Sequence, residues 1–338
     1  MNKPLRIGTR GSQLALWQAR AVATRLETFG ISAELVLIKT SGDRLQSAPM
    51  SETGTKRLFV KEIEDGLLAG EVDAAVHSAK DMPAELPGGL TIAATLPRED
   101  PRDVFALPSG IAAGDVAETL AKRPDLRIGT SSIRRTAQLR PQFPRATFVP
   151  IRGNVDTRLR KLDGGEYDAL ILAAAGLRRL GFGDRISATI SPNDCVPAPG
   201  QGIVAIEIRA DDEGVRKVVG HIHDAASAAA LEAERTVVTA LGGGCQLPLG
   251  ALASVNGTDL ELHAVVCSPD GARVIRAQAH GAVSEASTLG ERVAQQLLRE
   301  GAAAILDSVR GPSTGSGSSR ASSGDEPANR EPRTADPP

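Results

Sequence analysis

Aromatic residues are scarce in this sequence. Six Phe, one Trp and one Tyr in 338 positions leave too few stacking platforms for a single-stranded nucleic acid. An excess of either charge is also missing. Lys and Arg number 39 against 41 Asp and Glu, a net charge of −2, so no global field draws in nucleic acid or an acidic membrane, and any basic site must be local. Long apolar runs are absent too. Met1 to Gly8 pass at once into a strand-like stretch, with no export signal and no segment long enough to span a bilayer, so the chain is expected in the cytosol. Three cysteines, Cys195, Cys245 and Cys267, follow neither disulfide nor zinc spacing, and their odd number implies a free thiol. His221 and His223 stand without a nearby cysteine or carboxylate cluster and read as a solvated helix start, so no metal is expected. No GxxxxGK[ST] or GxGxxG string makes a nucleotide reading specific.

What is there is organised. The length exceeds the roughly 250 to 300 residues at which a single core stops growing, and three domains are expected. Short apolar runs alternate with helical patterns through the first two hundred residues, the mark of an α/β fold with a mainly parallel or mixed sheet. Strands are predicted at Leu5 to Thr9, Ala33 to Lys39, Asp73 to His77, Thr91 to Leu96, Leu126 to Thr130, Thr147 to Ile151 and Asp168 to Ala173. Arg6-Ile7-Gly8-Thr9 recurs as Arg127-Ile128-Gly129-Thr130, and each copy meets serine before opening a helix, which implies two similar halves facing a cleft. From Asp224 an Ala-rich helix to Leu241 precedes three strand-like runs and another helix, a small α+β domain. The expected division is 1–99 (domain 1, with a lid at 40–57), 100–197 (domain 2), 198–220 (a return segment completing domain 1), 221–310 (domain 3) and 311–338 (a disordered tail, too polar to offset the cost of ordering).

Three groups of residues carry chemistry. Gly242-Gly243-Gly244 strips side chains from the approach to Cys245 and suits an exposed, reactive thiol, although a buried, inert cysteine in a turn fits the local string as well. Basic residues recur at predicted strand ends and helix starts: Arg10, Lys80, Arg134, Arg135, Arg152 and Arg158, with Arg178 and Arg179 a turn into a helix. Guanidinium groups hold carboxylates through paired, charge-assisted hydrogen bonds, so their number suggests a ligand with many carboxylates, and phosphate would satisfy the same donors. In Val76-His77-Ser78-Ala79-Lys80-Asp81, a carboxylate beside a cation should stay ionised and is suited to stabilise a positive charge developing in a transition state. Asp81 is therefore the candidate catalytic residue, with helix capping as its alternative, and His77 is expected to pack or cap.

Taken together, Arg10-Gly11-Ser12-Gln13-Leu14-Ala15-Leu16-Trp17-Gln18, Val76-His77-Ser78-Ala79-Lys80-Asp81, Glu99-Asp100-Pro101-Arg102-Asp103, Gly129-Thr130-Ser131-Ser132-Ile133-Arg134-Arg135, Arg152-Gly153-Asn154-Val155, Gly200-Gln201-Gly202 and the Gly-Cys-Gln loop resemble the porphobilinogen deaminase (hydroxymethylbilane synthase) family, in order from about Leu5 to Val309. Two positions depart from the family pattern: Thr55-Lys56-Arg57 stands where Gly-Lys-Gly is common, and Ala79 where Met is usual.

The resemblance implies two similar periplasmic-binding-protein-like α/β domains around a cleft plus a small C-terminal α+β domain. It implies a transferase that condenses four porphobilinogen molecules head to tail into linear hydroxymethylbilane, with loss of ammonia, and the lack of a sustained apolar seam in the sequence favours a monomer. By the same resemblance Cys245 carries a dipyrromethane cofactor through a thioether and Asp81 is catalytic. Arg10, Ser12, Ser78, Lys80, Thr130, Ser132, Arg134, Arg135, Arg152, Arg158 and Arg179 would hold the carboxylates of cofactor and substrate. Two other classes compete. A periplasmic receptor should carry an export signal and needs no third domain, and a cysteine hydrolase needs a histidine that the sequence does not pair with Cys245.

Overall fold

The computed structural model describes residues 3–41, 57–110, 116, 120, 125–243 and 247–310. Most of the expected lid, the anchor-loop residues Gly244, Cys245 and Gln246, and the tail from Gly311 lie outside the described residues. Along the described chain run strands β1 (Leu5–Thr9), β2 (Ala33–Leu37), β3 (Ala74–Ser78), β4 (Leu90–Thr95), β5 (Asp103–Ala106), β6 (Arg127–Gly129), β7 (Thr147–Val149), β8 (Ala169–Ala173), β9 (Ala188–Thr189), β10 (Val204–Arg209), β11 (Leu249–Asn256), β12 (Asp259–Cys267) and β13 (Val274–Ala282). The helices are α1 (Gln13–Glu27), α2 (Arg57–Leu68), α3 (Ile133–Leu139), α4 (Val155–Asp163), α5 (Ala174–Arg179), α6 (Glu213–Gly220), α7 (Ala225–Ala240), α8 (Ala286–Arg299) and α9 (Ala302–Arg310). The strands expected in the first two hundred residues all occur, while β5, β9 and β10 are additional.

Two five-stranded mixed sheets share one topology. Their orders, β2-β1-β3-β10-β4 and β7-β6-β8-β5-β9, superpose element on element, β1 on β6, β3 on β8 and β10 on β5. In each sheet a single strand, β10 or β5, runs antiparallel to both neighbours. It is the first strand after the chain crosses from the other lobe. A chain that crosses beyond the carboxyl ends of parallel strands must run back away from them, which is why this strand is reversed.

The repeated tetrapeptide has a physical purpose. The Arg6 amide and Nε donate to Asp73 at 2.9 and 3.0 Å, and its Nη2 donates to the Gly70 carbonyl at 2.9 Å. Arg127 repeats the arrangement with Asp168 at 2.8 and 3.3 Å and with the Gly165 carbonyl at 2.8 Å. The glycine that follows leaves room for the next strand's entry: a Cβ on Gly8 would meet Val72 at 3.1 Å, and one on Gly129 would meet Tyr167 at 2.8 Å and Leu170 at 2.4 Å. Gly70-Glu71-Val72-Asp73-Ala74 and Gly165-Glu166-Tyr167-Asp168-Ala169 are thus the complementary half of the same repeat, and sequence reading alone passed over it.

The crossings are fastened to each other at Gly200-Gln201-Gly202. Both glycines have positive φ, +74° and +87°, and a Cβ on Gly202 would lie 2.2 Å from the Glu99 carbonyl oxygen, so no other residue fits. The Glu99 amide donates to Gly202 at 3.0 Å, and Gln201 Nε2 donates to Pro101 at 2.7 Å. The antiparallel sheet β11-β12-β13 packs one face on α7, α8 and α9 through Ala251, Leu262, Leu289, Val293 and Ile305. Part of its other face, Leu252, Val265 and Cys267, packs against Ala137 and Val196 of the second lobe. Burial pushes the Cys267 thiol up to about 11 and that of Cys195 up to about 12, so neither is poised to react.

Candidate active site

Ser78 ends β3, and a single 3-10 turn, Ala79–Asp81, follows it before Pro83 stops further winding. That places Lys80 and Asp81 just beyond the carboxyl end of a central strand, where α/β sheets present their ligands. From the other lobe, α3 brings Arg134 and Arg135, and α4 brings Arg158. The two sets are within electrostatic reach. Lys80 feels Asp81, Arg135, Asp103 and Arg134, while Arg158 feels Arg135 and Asp81.

The cations divide into two kinds. Arg134 and Arg135 are buried and already matched: Nη1 of Arg134 and Nη2 of Arg135 each lie 2.7 Å from the carboxylate of Asp103. Burial by itself would raise the Asp103 pKa, but the two guanidinium groups hold it far below the usual carboxylate range. Gln201 Nε2 adds a bond to the same carboxylate at 2.9 Å, and Arg134 also donates to the Val196 carbonyl at 2.7 Å.

Lys80, Arg158 and Arg179 are of the second kind. Among the described residues none of the three has a carboxylate at ion-pair distance. Burial lowers the Lys80 ammonium to about 8, helped by Arg135 and Arg134 and opposed by Asp81, although part of its surface still meets solvent. Burial likewise presses Arg158 and Arg179 down to about 10, and both stay charged at neutral pH. Arg158 donates Nε to the Gly153 carbonyl at 2.8 Å. Arg179 donates to the Gly202 carbonyl at 2.7 Å and lies over the ring of Trp17, 5.4 Å from its centroid, so it bridges the lobes at the crossing. Desolvated cations without a counter-charge are costly, and an anionic ligand would relieve the cost.

The remaining candidates are placed as follows. Ser12 caps α1 by accepting from the Ala15 amide at 3.3 Å, and Ser132 caps α3 by accepting from the Arg135 amide at 3.4 Å. Thr130 accepts from the Ser132 amide at 3.2 Å. Ser12 and Ser132 thereby fix the starts of the helices that follow β1 and β6. Arg10 is half-buried just past β1, and Arg152 is exposed just past β7. His77 packs as expected, buried with its Nε2 3.1 Å from the carboxylate of Glu207. Arg178, grouped with the anion-binding cations on sequence, pairs with Glu99 at 3.3 Å and Asp100 at 3.1 Å on the crossing. Sequence reasoning gave Asp103 no role. Two adjacent buried arginines require a counter-ion, and an Asp leading the apolar run Val104-Phe105-Ala106 was the available signal.

Two α/β lobes joined by a double crossing, with cations and one carboxylate from both brought within electrostatic reach, define a two-lobed α/β protein with a charged site between strand ends. Residues 5–217 match the family described as porphobilinogen deaminase, dipyromethane cofactor binding domain, and residues 228–299 match porphobilinogen deaminase, C-terminal domain. The porphobilinogen deaminase of Syntrophobacter fumaroxidans is 44% identical over 310 residues, spanning 91% of this chain and 98% of that protein. Those of Bordetella parapertussis and Trichlorobacter lovleyi are each 45% identical, over 89% and 91% of this chain and 95% and 97% of their own lengths. The solved methionine binding protein MetQ is 12% identical, with a TM-score of 0.41 over 64% of this chain and 89% of its own. The chain belongs to the porphobilinogen deaminase family, transferases of tetrapyrrole biosynthesis, and carries that family's dipyrromethane cofactor binding domain. The resemblance read from its motifs is borne out.

Proposed function

We propose that this chain condenses four porphobilinogen molecules into hydroxymethylbilane on a dipyrromethane primer held by Cys245, with Asp81 as the catalytic carboxylate. The observation that carries the reading is the convergence of Lys80 and Asp81 from one lobe with Arg158 and the Asp103-bound arginines from the other. The donor set fits the cofactor: Lys80, Arg158 and Arg179 are desolvated cations lacking carboxylate partners among the described residues, and a dipyrrole with acetate and propionate arms supplies carboxylates. When bound, the dipyrromethane supplies a nucleophilic pyrrole carbon at its free end.

The chain's own residues do the rest. Lys80, Arg158 and Arg179 neutralise carboxylates directly. Arg10 and Arg152 widen the basic wall at the strand ends, and Ser78 offers a hydroxyl with no capping duty. Arg134 and Arg135 keep donors beyond those given to Asp103, so they orient carboxylates from a fixed position, with Thr130, Ser132 and Ser12 holding the adjacent helix starts. Asp81 accepts hydrogen bonds from pyrrole N–H groups and stabilises positive charge as ammonia leaves and as a proton departs from the attacking pyrrole carbon.

The division 1–99, 100–197, 198–220, 221–310 and 311–338 accounts for one lobe completed by a return segment, a second lobe, a domain presenting the anchor and a polar tail. The chain acts as a cytosolic monomer on small molecules, and its balanced charge speaks against nucleic acid as a partner. The test is the intact mass of purified protein before and after porphobilinogen. Native protein should carry the dipyrrole mass and gain monopyrrole increments, and Cys245→Ser should carry neither. An unmodified native chain that stays so with substrate overturns the reading.

A further inference from the structure

We infer that Arg235 is a positioning residue that holds α7, the helix leading toward Cys245, in register with the turn that bears Asp81, an inference that rests on the roles given above to Asp81 and Cys245. Leu231, Glu234 and Arg235 stand at i, i+3 and i+4 on α7, so they share one face of the helix that leads straight into Gly242-Gly243. All three grip the surroundings of the catalytic turn. Leu231 is buried in one cluster with Ala79, Met82, Ile203 and Ala205. Glu234, fully buried, accepts from Arg98 and from the Gly200 amide at 2.6 Å each, and from the Ala253 amide at 2.7 Å. Arg235 Nη2 donates to the carbonyl of Ala84 at 2.7 Å, across 151 residues of chain.

Ala84 lies three residues past Asp81 and close to Gly243, just beyond the end of α7. A Cβ on Gly243 would rest 3.4 Å from the Ala84 Cβ, and Cys245 follows two residues later. One residue therefore meets both the helix that carries the anchor and the segment that carries the carboxylate. A cavity of about 630 Å³, lined by Ala84, Ile92, Leu231, Arg235 and Thr239 among others, opens beside the contact. Close packing does not lock the guanidinium on that side, so the hydrogen bond to Ala84 maintains the register. Burial lowers the Arg235 pKa, and the fully buried Glu207 opposes that shift.

The experiment compares Arg235→Met and Arg235→Lys in the full-length, cofactor-loaded protein, using kcat, KM, intact mass and melting temperature. Misplacing reacting groups by about 1 Å costs up to about 100-fold in rate. Arg235→Met should lose about 10- to 100-fold in kcat with KM within about twofold of the parent, while keeping the dipyrrole mass. Arg235→Lys, which retains one donor, should recover most of the loss but keep a residual, KM-neutral deficit of about threefold to fivefold in kcat. A lowered melting temperature with parental kcat in Arg235→Met would make Arg235 merely structural and overturn the inference. Should Arg235→Met not fold, Arg235→Lys decides: a KM-neutral loss of about threefold supports the role and parental kcat refutes it. The Cys245→Ser and Asp81→Ala proteins, run in parallel, separate the two levels. If they behave as proposed and Arg235→Met turns over normally, only this inference fails.

Discussion

The two lobes share a frame and differ in what they hang on it. In both, an Arg at the head of the first strand clasps an Asp that begins the third, and in both the third strand leads out toward the cleft. Beyond that strand they part. The first lobe ends β3 with Ser78-Ala79-Lys80-Asp81, and Pro83 keeps the turn short. At the equivalent place the second lobe has Ala173-Ala174-Ala175-Gly176 and winds directly into α5, which carries Arg178 and Arg179 to the crossing. The antiparallel strands invert the contrast: Ser78 pairs with Val204, whereas Ala173 pairs with Asp103. One lobe therefore sets a carboxylate and a cation, Asp81 and Lys80, on the turn after its third strand, while the other buries its carboxylate to hold two arginines in place. On the proposed reading the chemistry draws on both lobes, because Asp81 comes from one and the Asp103-bound arginines from the other.

This contrast can be broken, beginning with the largest effect. Asp103→Ala leaves two guanidinium groups buried without a counter-ion and should cost about 3 to 5 kcal/mol in urea unfolding, whereas Val204→Ala, its counterpart in the first lobe, should cost less. Equal losses would erase the distinction. Asp81→Ala should keep fold and anchor mass but lose about 100- to 1,000-fold in kcat, near 2.7 to 4 kcal/mol. A loss below about tenfold would make Asp81 structural.

The shared frame gives smaller effects. Asp73→Ala and Asp168→Ala should each lower the melting temperature by only a few degrees, because both pairs meet solvent, with kcat nearly unchanged. A collapse of turnover in either would couple frame to chemistry. The smallest effect is pH dependence. Lys80, held below its free value at about 8, is charged below that pH and sheds its proton above it, so substrate KM should rise as pH passes through about 8. Lys80→Gln should raise KM at lower pH and flatten the profile, and an unchanged profile would exclude Lys80 as the titrating group.

Much of the frame was legible beforehand. The strands that were read correctly are short apolar runs bounded by polar or glycine residues, a local pattern. Of the strands that were not, β9 is only two residues long, and β5 and β10 follow the crossings, where only the pairing partner across the sheet shows them as members of opposite lobes. At the site, residue types and spacing singled out Lys80, Asp81 and the arginines. They did not separate Arg134 and Arg135 from Arg158, because a cation's free or matched state depends on a carboxylate brought from 31 or 32 residues away. Nor did they reveal that Arg235, 154 residues beyond Asp81, reaches the segment bearing it.

The amino-acid order by itself determined the family, the duplicated α/β frame, the candidate carboxylate and the glycine-bared cysteine, because each is written in contiguous residues whose conformational and chemical preferences act locally. Only the tertiary structure decided which cations are neutralised by Asp103, which have no carboxylate partner among the described residues, and how α7 packs against the turn bearing Asp81. Those outcomes depend on burial and on distances of about 3 Å between groups far apart in the chain, where a single counter-charge or carbonyl changes what a side chain can do.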